Sequence, residues 1–304
     1  METKLKMLKH PKGIVDVVLD TDTYNEVDDQ FALAYLIKSN DKLNLKAINA
    51  APFYFPQKNN KSDSPKDGML KSYKEIIKIL KLMKAEKYII KVCKGSENFL
   101  KDEYTPEISE AVTNLVDLSK NYSSDNPLYI ISIGAITNIA SAILMDKTIT
   151  ERIVVIWLGG SALHWIDNNE FNLIQDIAAA RVVFLSGVPL VQLPCQGVID
   201  KFAVSGIEID YYLSNKNDLC NYLANITKKE GKKESNIYWT RVIWDVTAVA
   251  WLINENFLLD KIIHTPLPEY DGYYSFDDRR HFYKYVYHVN RDLLIKDLFE
   301  KLLK

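Results

Sequence analysis

The sequence predicts an α/β fold: a mostly parallel central sheet flanked by helices, with a helical and hairpin addition at the C-terminal end. Two observations carry this. Short β-branched apolar runs alternate with runs at helical spacing from about residue 14 to 193, the pattern of parallel strands joined by crossover helices. The chain also has 304 residues, 47% of them hydrophobic, enough to bury a sizeable core. No internal repeat, low-complexity tract or Pro/Gly-rich linker divides it, so one domain over 1–304 is expected, with a core at about 14–255.

The elements follow in order. Residues 14–19 (IVDVVL) form a first strand and 29–38 (DQFALAYLIK) a helix; 43–49 alternate as a second strand. Residues 57–67 are polar and read as a loop. Residues 68–83 repeat apolar side chains at helical spacing through Leu70, Tyr73, Ile76, Ile77 and Leu80. A third strand is expected at 88–93 and a helix at 110–118. Strand–helix pairs follow at 128–133 with 137–145 and at 153–158 with 176–185, then a strand at 189–193. Beyond about 205 the pattern turns helical, with a hairpin around 270–289 and a closing helix from Asp292, so that 256–304 reads as hairpin plus helix.

Composition narrows the function classes. Lys+Arg number 38 and Asp+Glu 40, a net charge of -2, whereas a protein that grips nucleic acid usually carries a basic surplus or stripe. The lysines at 74, 78, 81 and 84 and at 228, 229, 232 and 233 read as solvated faces. Three cysteines, Cys93, Cys195 and Cys220, form no CxxC pair, which disfavours a disulfide framework or a cysteine–zinc site. No apolar run approaches the roughly 20 residues of a membrane span, and the basic start METKLKMLKHPKG has no apolar signal core. A cytoplasmic location is expected.

In open α/β sheets, ligands bind beyond the carboxyl ends of the strands. The segment after the first strand carries Asp20, Asp22, Glu26, Asp28 and Asp29. Two unit charges about 4 Å apart repel by about 4 kcal/mol at an effective dielectric near 20. Proton sharing or a hard divalent cation with oxygen ligands would compensate such crowding. Helix capping explains one or two of these acids, Asp28 being well placed as an N-cap, but not five. Three further stretches accompany the cluster. ISIGAITNIA puts a glycine turn after the strand at 128–133. WLGGSALHWIDNNEFNLIQDIAAA carries Gly159, Gly160, Glu170, Phe171, Asn172 and Asp176. VIWDVTAVAWLI places Asp245 at the head of an apolar helix, where it too reads as an N-cap.

Together these stretches resemble the inosine-uridine type nucleoside hydrolase family. The family opening D-x-D-P-G-x-D-D stands here as Asp20-Thr21-Asp22-Thr23-Tyr24-Asn25-Glu26-Val27-Asp28-Asp29, with the Pro-Gly turn replaced and the loop about two residues longer. The glycine turn before T-N-I-A matches residues 134–140. The G-G, E-F-N and D-x-x-A-A elements match Gly159, Gly160, Glu170, Phe171, Asn172, Asp176, Ala179 and Ala180, and the late H-D-x-x-A-V-A matches residues 244–250. The resemblance implies a nucleoside hydrolase-like fold and hydrolysis of the N-glycosidic bond of a ribonucleoside, with one calcium ion per chain. Asp22, Asp29, Asp245 and the carbonyl of Ile133 would hold the metal. Asp22 would act as general base, Asp28, Glu170 and Asn172 would bind the ribose hydroxyls, and Asp20 would support the loop from behind. The resemblance further implies a free nucleoside or riboside as partner, a place in purine or pyrimidine salvage, and a homodimer or homotetramer.

The nucleobase end departs from the pattern. Trp244 replaces the histidine proposed as leaving-group acid in some members; stacking on the base and packing in the wall are its two uses. His164, six residues before Glu170, is the candidate acid among five histidines. Phe53, Tyr54 and Trp165 are candidate stacking partners. Two rival readings stand beside this one. A haloacid dehalogenase-type phosphatase would use Asp20 as nucleophile and Asp22 as acid–base. A non-catalytic nucleoside- or ribose-binding protein would keep the pocket without turnover.

Overall fold

The computed structural model describes residues 2–54, 56, 61–232 and 238–304. In chain order the elements are α1 (Glu2–Met7), β1 (Val15–Thr21), α2 (Asp29–Lys38), β2 (Leu43–Ala50), α3 (Pro65–Leu82), β3 (Val92–Lys94), α4 (Glu110–Ser119), β4 (Leu128–Ser132), α5 (Thr137–Met145) and β5 (Ile153–Leu158). There follow α6 (Phe171–Gln175), α7 (Ile177–Ser186), β6 (Leu190–Leu193), β7 (Ala203–Ser205), α8 (Gly206–Leu213), α9 (Asp218–Gly231), β8 (Thr240–Val242), α10 (Val246–Ile253), β9 (Leu258–His264), β10 (Leu267–Pro268), β11 (Tyr274–Ser275), β12 (Phe282–Val289) and α11 (Arg291–Leu302).

Eight strands form one sheet in the order β3-β2-β1-β4-β5-β6-β12-β9. All neighbours pair in parallel except β12 with β9. The parallel α/β architecture predicted from the alternating pattern is therefore present. Because the chain runs outward from β1 through β2 to β3 and then returns to β4, the β1–β4 boundary is where the connections reverse direction. A crevice opens at the carboxyl end of such a boundary.

The strands are buried on both faces, and period-two alternation sorts their side chains. Val17 and Leu19 of β1, Tyr129 and Ile131 of β4, and Val154 and Ile156 of β5 face one apolar cluster, which α2, α10 and α11 cover. Val18, Leu128, Ile130, Val155 and Trp157 face a second cluster under α4, α5 and α7. All three cysteines are buried and free. Among the described residues no helix is long and apolar enough to cross a membrane.

Three expectations are corrected. Residues 88–93 are not a strand: a 3-10 turn occupies Glu86–Lys91, and only Val92–Lys94 pair, in register with residues 48–50 of β2. This is the sheet edge, where Ile90 is 90% exposed and little apolar burial is available to hold a longer strand. The hairpin is not confined to 270–289. The partner of β12 is β9, and β12 itself lies against β6, so both strands extend the main sheet rather than standing apart from it. As an outer strand, β9 shows a mostly exposed or half-buried pattern. Of the polar loop at 57–67, residues 57–60 lie outside the described residues, as does Lys233, while Ser64 caps α3 by accepting from the Asp67 amide at 3.2 Å.

Ile131 sits in the middle of β4 with no exposed surface. Ile131→Ala should lower unfolding free energy by about 2–5 kcal/mol, measured by urea denaturation. A loss below about 1 kcal/mol would mean that this strand is not the packed centre described here.

Candidate active site

Strand β1 delivers the acidic segment directly to the reversal point. One residue past its end, Asp22 turns the chain: its carbonyl accepts the Asn25 amide at 2.7 Å. The chain then enters α2 with Asp28 at the N-cap position and Asp29 as the first helical residue. On the other side of the crevice, Asp245 occupies the N-cap position of α10. Neither Asp28 nor Asp245 uses its side chain to cap its helix. Capping therefore does not explain them: both carboxylates turn from the helical amides toward each other. One oxygen each from Asp28, Asp29 and Asp245 lie within 4.8 Å of one another, and all three residues are buried.

Asp22 completes the group. It is 1% exposed, and its Oδ2 has no hydrogen-bond partner. Its carboxylate lies against Gly134, where a Cβ would stand 3.1 Å from both Cγ and Oδ1 and push the carboxylate aside by a few tenths of an ångström. A cavity of about 170 Å³ opens here, lined by Asp22, Asp28, Asp29, Ile133, Glu170, Asn172, Trp244 and Asp245 among others. The structure thus brings together eight of the ten residues singled out from the sequence. Of the other two, Asp20 is fully buried behind the cavity and accepts from Asn138 Nδ2 at 2.9 Å, while Asn138 Oδ1 receives the Ser96 amide and hydroxyl. His164 is exposed and outside the lining. The turn that carries it, closed by the Trp165 amide on the Ala162 carbonyl, runs over the surface before the chain returns at Glu170.

The stacking candidates are also corrected. Phe53 is fully buried, Trp165 is 42% exposed, and neither they nor Tyr54 line the cavity. Trp244 does line it, and it also packs against the main core. Glu170 is more heavily engaged than its expected sugar contact requires. Its carboxylate accepts from the amides of Asn172 (2.9 Å), Leu173 (3.1 Å) and Gly160 (2.6 Å), capping α6 and fastening the Gly159–Gly160 turn. Asn172 Nδ2 donates to the Leu158 carbonyl at 3.0 Å. Sequence reading counted Glu26 in the acidic cluster without giving it a role, and missed Asn169, Cys195 and Gln196 in the lining. For Glu26 the signal was its place inside the acidic loop; isolated side chains such as Gln196 carry none.

Burial dominates the electrostatics. It pushes the Asp28 carboxyl up to about 8, helped by Glu26 and Asp29 and opposed by Arg241. It raises Asp29 to about 6 against hydrogen bonds from Thr21 and Asp245. Asp22 and Asp245 are also driven upward, by burial and then by the neighbouring carboxylates. At 4.8 Å each ionised pair costs roughly 3–4 kcal/mol at an effective dielectric near 20. Protons relieve this cost, or a divalent cation does. An orphaned buried oxygen on Asp22 beside three converging carboxylates, all hard oxygen donors, fits a divalent metal.

The sign of the pH dependence follows. These carboxyls hold protons more tightly folded than unfolded, so without metal the folded state is favoured at low pH and loses that advantage as pH rises from about 4 toward 8. In chelator, the melting temperature should therefore fall between pH 5 and pH 8, and stabilisation by an added divalent cation should grow over the same interval. Equal stabilisation at both pH values would contradict the carboxylate cluster as the binding site.

Comparisons with known proteins agree with this geometry. A family model described as "Inosine-uridine preferring nucleoside hydrolase" matches residues 66–292. The pyrimidine-specific ribonucleoside hydrolase RihB of Escherichia coli is 38% identical over 90 residues, 29% of this chain and 28% of that protein. The match spans only part of these curated relatives, from 28% of the Escherichia coli protein to 36% of the putative RihB of Shigella boydii. Among solved structures, the purine-preferring ribonucleoside hydrolase from Gardnerella vaginalis superposes with a TM-score of 0.75 at 19% identity, covering 95% of this chain and 98% of that one. A plant nucleoside hydrolase, PpNRh1, does so with a TM-score of 0.72 at 15% identity, covering 95% and 99%. These two likenesses establish the shared fold, and the match over residues 66–292 establishes the lineage: the chain belongs to the inosine-uridine preferring nucleoside hydrolase family.

Proposed function

We propose that this chain is a calcium-dependent N-ribohydrolase that splits a ribonucleoside, or a related riboside, into free base and ribose. The observation that carries this reading is the convergence of Asp22, Asp28, Asp29 and Asp245 on one buried cavity at the β1–β4 reversal, in a chain of this family. Asp22, Asp29, Asp245 and the Ile133 carbonyl would hold the ion. When bound, calcium supplies Lewis acidity toward a water and toward the vicinal hydroxyls of the sugar.

The chain's own groups do the rest. Asp22 Oδ2 accepts no hydrogen bond from the protein, so it is available to take a proton from water as the water oxygen bonds to the anomeric carbon. The bond from that carbon to the base nitrogen breaks, and its electron pair leaves with the base, which takes up a proton. The surrounding carboxylates favour the positive charge that grows on the sugar. Asp28 and Asn172 orient the ribose hydroxyls. Glu170, with its three backbone amides, holds the wall in place and can share an oxygen lone pair with a hydroxyl. Trp244 lines the side left for the base. Its indole N–H is too weak an acid to protonate a leaving group, so substrates whose base departs readily are favoured.

The phosphatase alternative requires Asp20 to face its substrate. Asp20 is instead fully buried, bonded to Asn138 and outside the cavity lining, which argues against a nucleophilic role.

A panel of purine and pyrimidine ribosides with detection of free base and ribose tests the proposal. Turnover should require calcium and vanish in chelator. Asp22→Asn should lower kcat by at least about 100-fold while circular dichroism stays unchanged. Tight nucleoside binding with no release of base at high protein concentration would favour a binding protein instead.

A further inference from the structure

A longer loop joins Asp22 to Asp28 than the family motif has, and the extra length brings one more carboxylate to the cavity. Glu26 lines the same cavity as Asp22, Asp28 and Asp29, and its charge acts on all three. Yet it is not one of the three acids whose oxygens converge within 4.8 Å. Its carboxylate instead accepts from Arg241 Nη2 at 2.5 Å, the two side chains being 38% and 20% exposed. Arg241 stands on β8, where it pairs with Val204 of β7, so the guanidinium is presented from a fixed ribbon. The loop is held beside it as well: Lys61 Nζ donates to the Asn25 carbonyl at 2.6 Å and pairs with Glu230 of α9 at 3.3 Å.

A bound calcium ion takes six to eight oxygens. Three aspartates and one carbonyl leave places for sugar hydroxyls and water, but a long carboxylate on the same loop competes for them. We propose that Arg241 is a positioning residue that holds Glu26 out of the metal's coordination shell and so keeps the sugar-facing side open. This rests on the calcium-dependent reading above. A charge-assisted pair on a fixed strand is strong enough to compete for one carboxylate, and it places a cation where a second ligand would otherwise arrive.

The sign of the metal response separates this from plain structural support. Loss of a structural strap would loosen the site and weaken the metal. Loss of the restraint frees Glu26 to ligate and removes a neighbouring positive charge, so the metal binds more tightly while the sugar binds less well. Calcium chloride is titrated into metal-free wild type, Arg241→Met, Glu26→Gln and the double variant, and KM is measured with a nitrophenyl riboside. Arg241→Met should bind calcium about 3–10-fold more tightly yet show KM raised about tenfold or more. The double variant should return both values to within about threefold of wild type, because the released side chain is then uncharged. If Arg241→Met fails to fold, Arg241→Gln, which keeps length and polarity but loses the charge, replaces it: tighter calcium with a raised KM supports the proposal, and unchanged or weaker calcium overturns it. Calcium affinity unchanged or weakened in Arg241→Met, or a double variant as impaired as the single one, also overturns it. Wild type that takes up no calcium defeats the calcium-dependent reading itself, and this inference with it, before any variant is compared.

Discussion

Mutual repulsion among buried carboxylates is the constraint on which this structure turns. Asp22, Asp28, Asp29 and Asp245 are each 4% exposed or less, and three of them approach within 4.8 Å. Ionised together, they would repel one another strongly. Here the backbone prevents dispersal. Asp22 is fixed by β1 and pressed against Gly134 at the end of β4, while Asp28–Asp29 and Asp245 are fixed by the starts of α2 and α10. Both helices direct their partly positive N-termini at the cluster, which offsets some of the repulsion. Because Asp28 and Asp245 leave their helices uncapped, some helix stability is given up to keep those oxygens available.

Much of the supporting framework was legible in the sequence. Residues 128–131 and 153–158 are continuously apolar because helices cover both faces of the strands, and such runs identify central strands. The motif residues around the site proved to be of two kinds. Asp22, Asp28, Asp29, Asn172 and Asp245 reach the cavity. Asp176 and the Thr137–Asn138 pair work behind it: Asp176 accepts from Thr137 Oγ1 at 2.7 Å and from the Leu100 amide at 2.9 Å, and Asn138 joins Ser96 to Asp20. Sequence spacing does not distinguish a residue that faces ligand from one that braces the loop doing so, as Glu170 illustrates by doing the bracing while lining the wall.

The remaining features escaped for physical reasons. Edge strand β9 and the turn at Glu86–Lys91 lie where burial is slight, so apolar periodicity has little to record. The Glu26–Arg241 pair joins residues 215 positions apart, a contact that only the tertiary fold creates. His164 stands six positions from Glu170, yet an intervening surface turn separates them. Nearness in sequence is a poor guide across a loop, whereas nearness to a strand's carboxyl end is a good one, because the sheet holds those ends together.

The buried carboxylates and the mouth of the cavity place different demands on a ligand. The acidic end suits a hard cation and hydroxyl groups, while Asn169, Gln196 and Trp244 present amides and one aromatic face. On the proposed reading, the acidic end binds a divalent ion that displaces its protons. Calorimetric titration of calcium into metal-free protein near pH 7, repeated in buffers of different ionisation enthalpy, measures both the stoichiometry and the protons released. One ion per chain should bind with net proton release, and Asp29→Ala should abolish both. No binding, or binding without proton release, would contradict that reading.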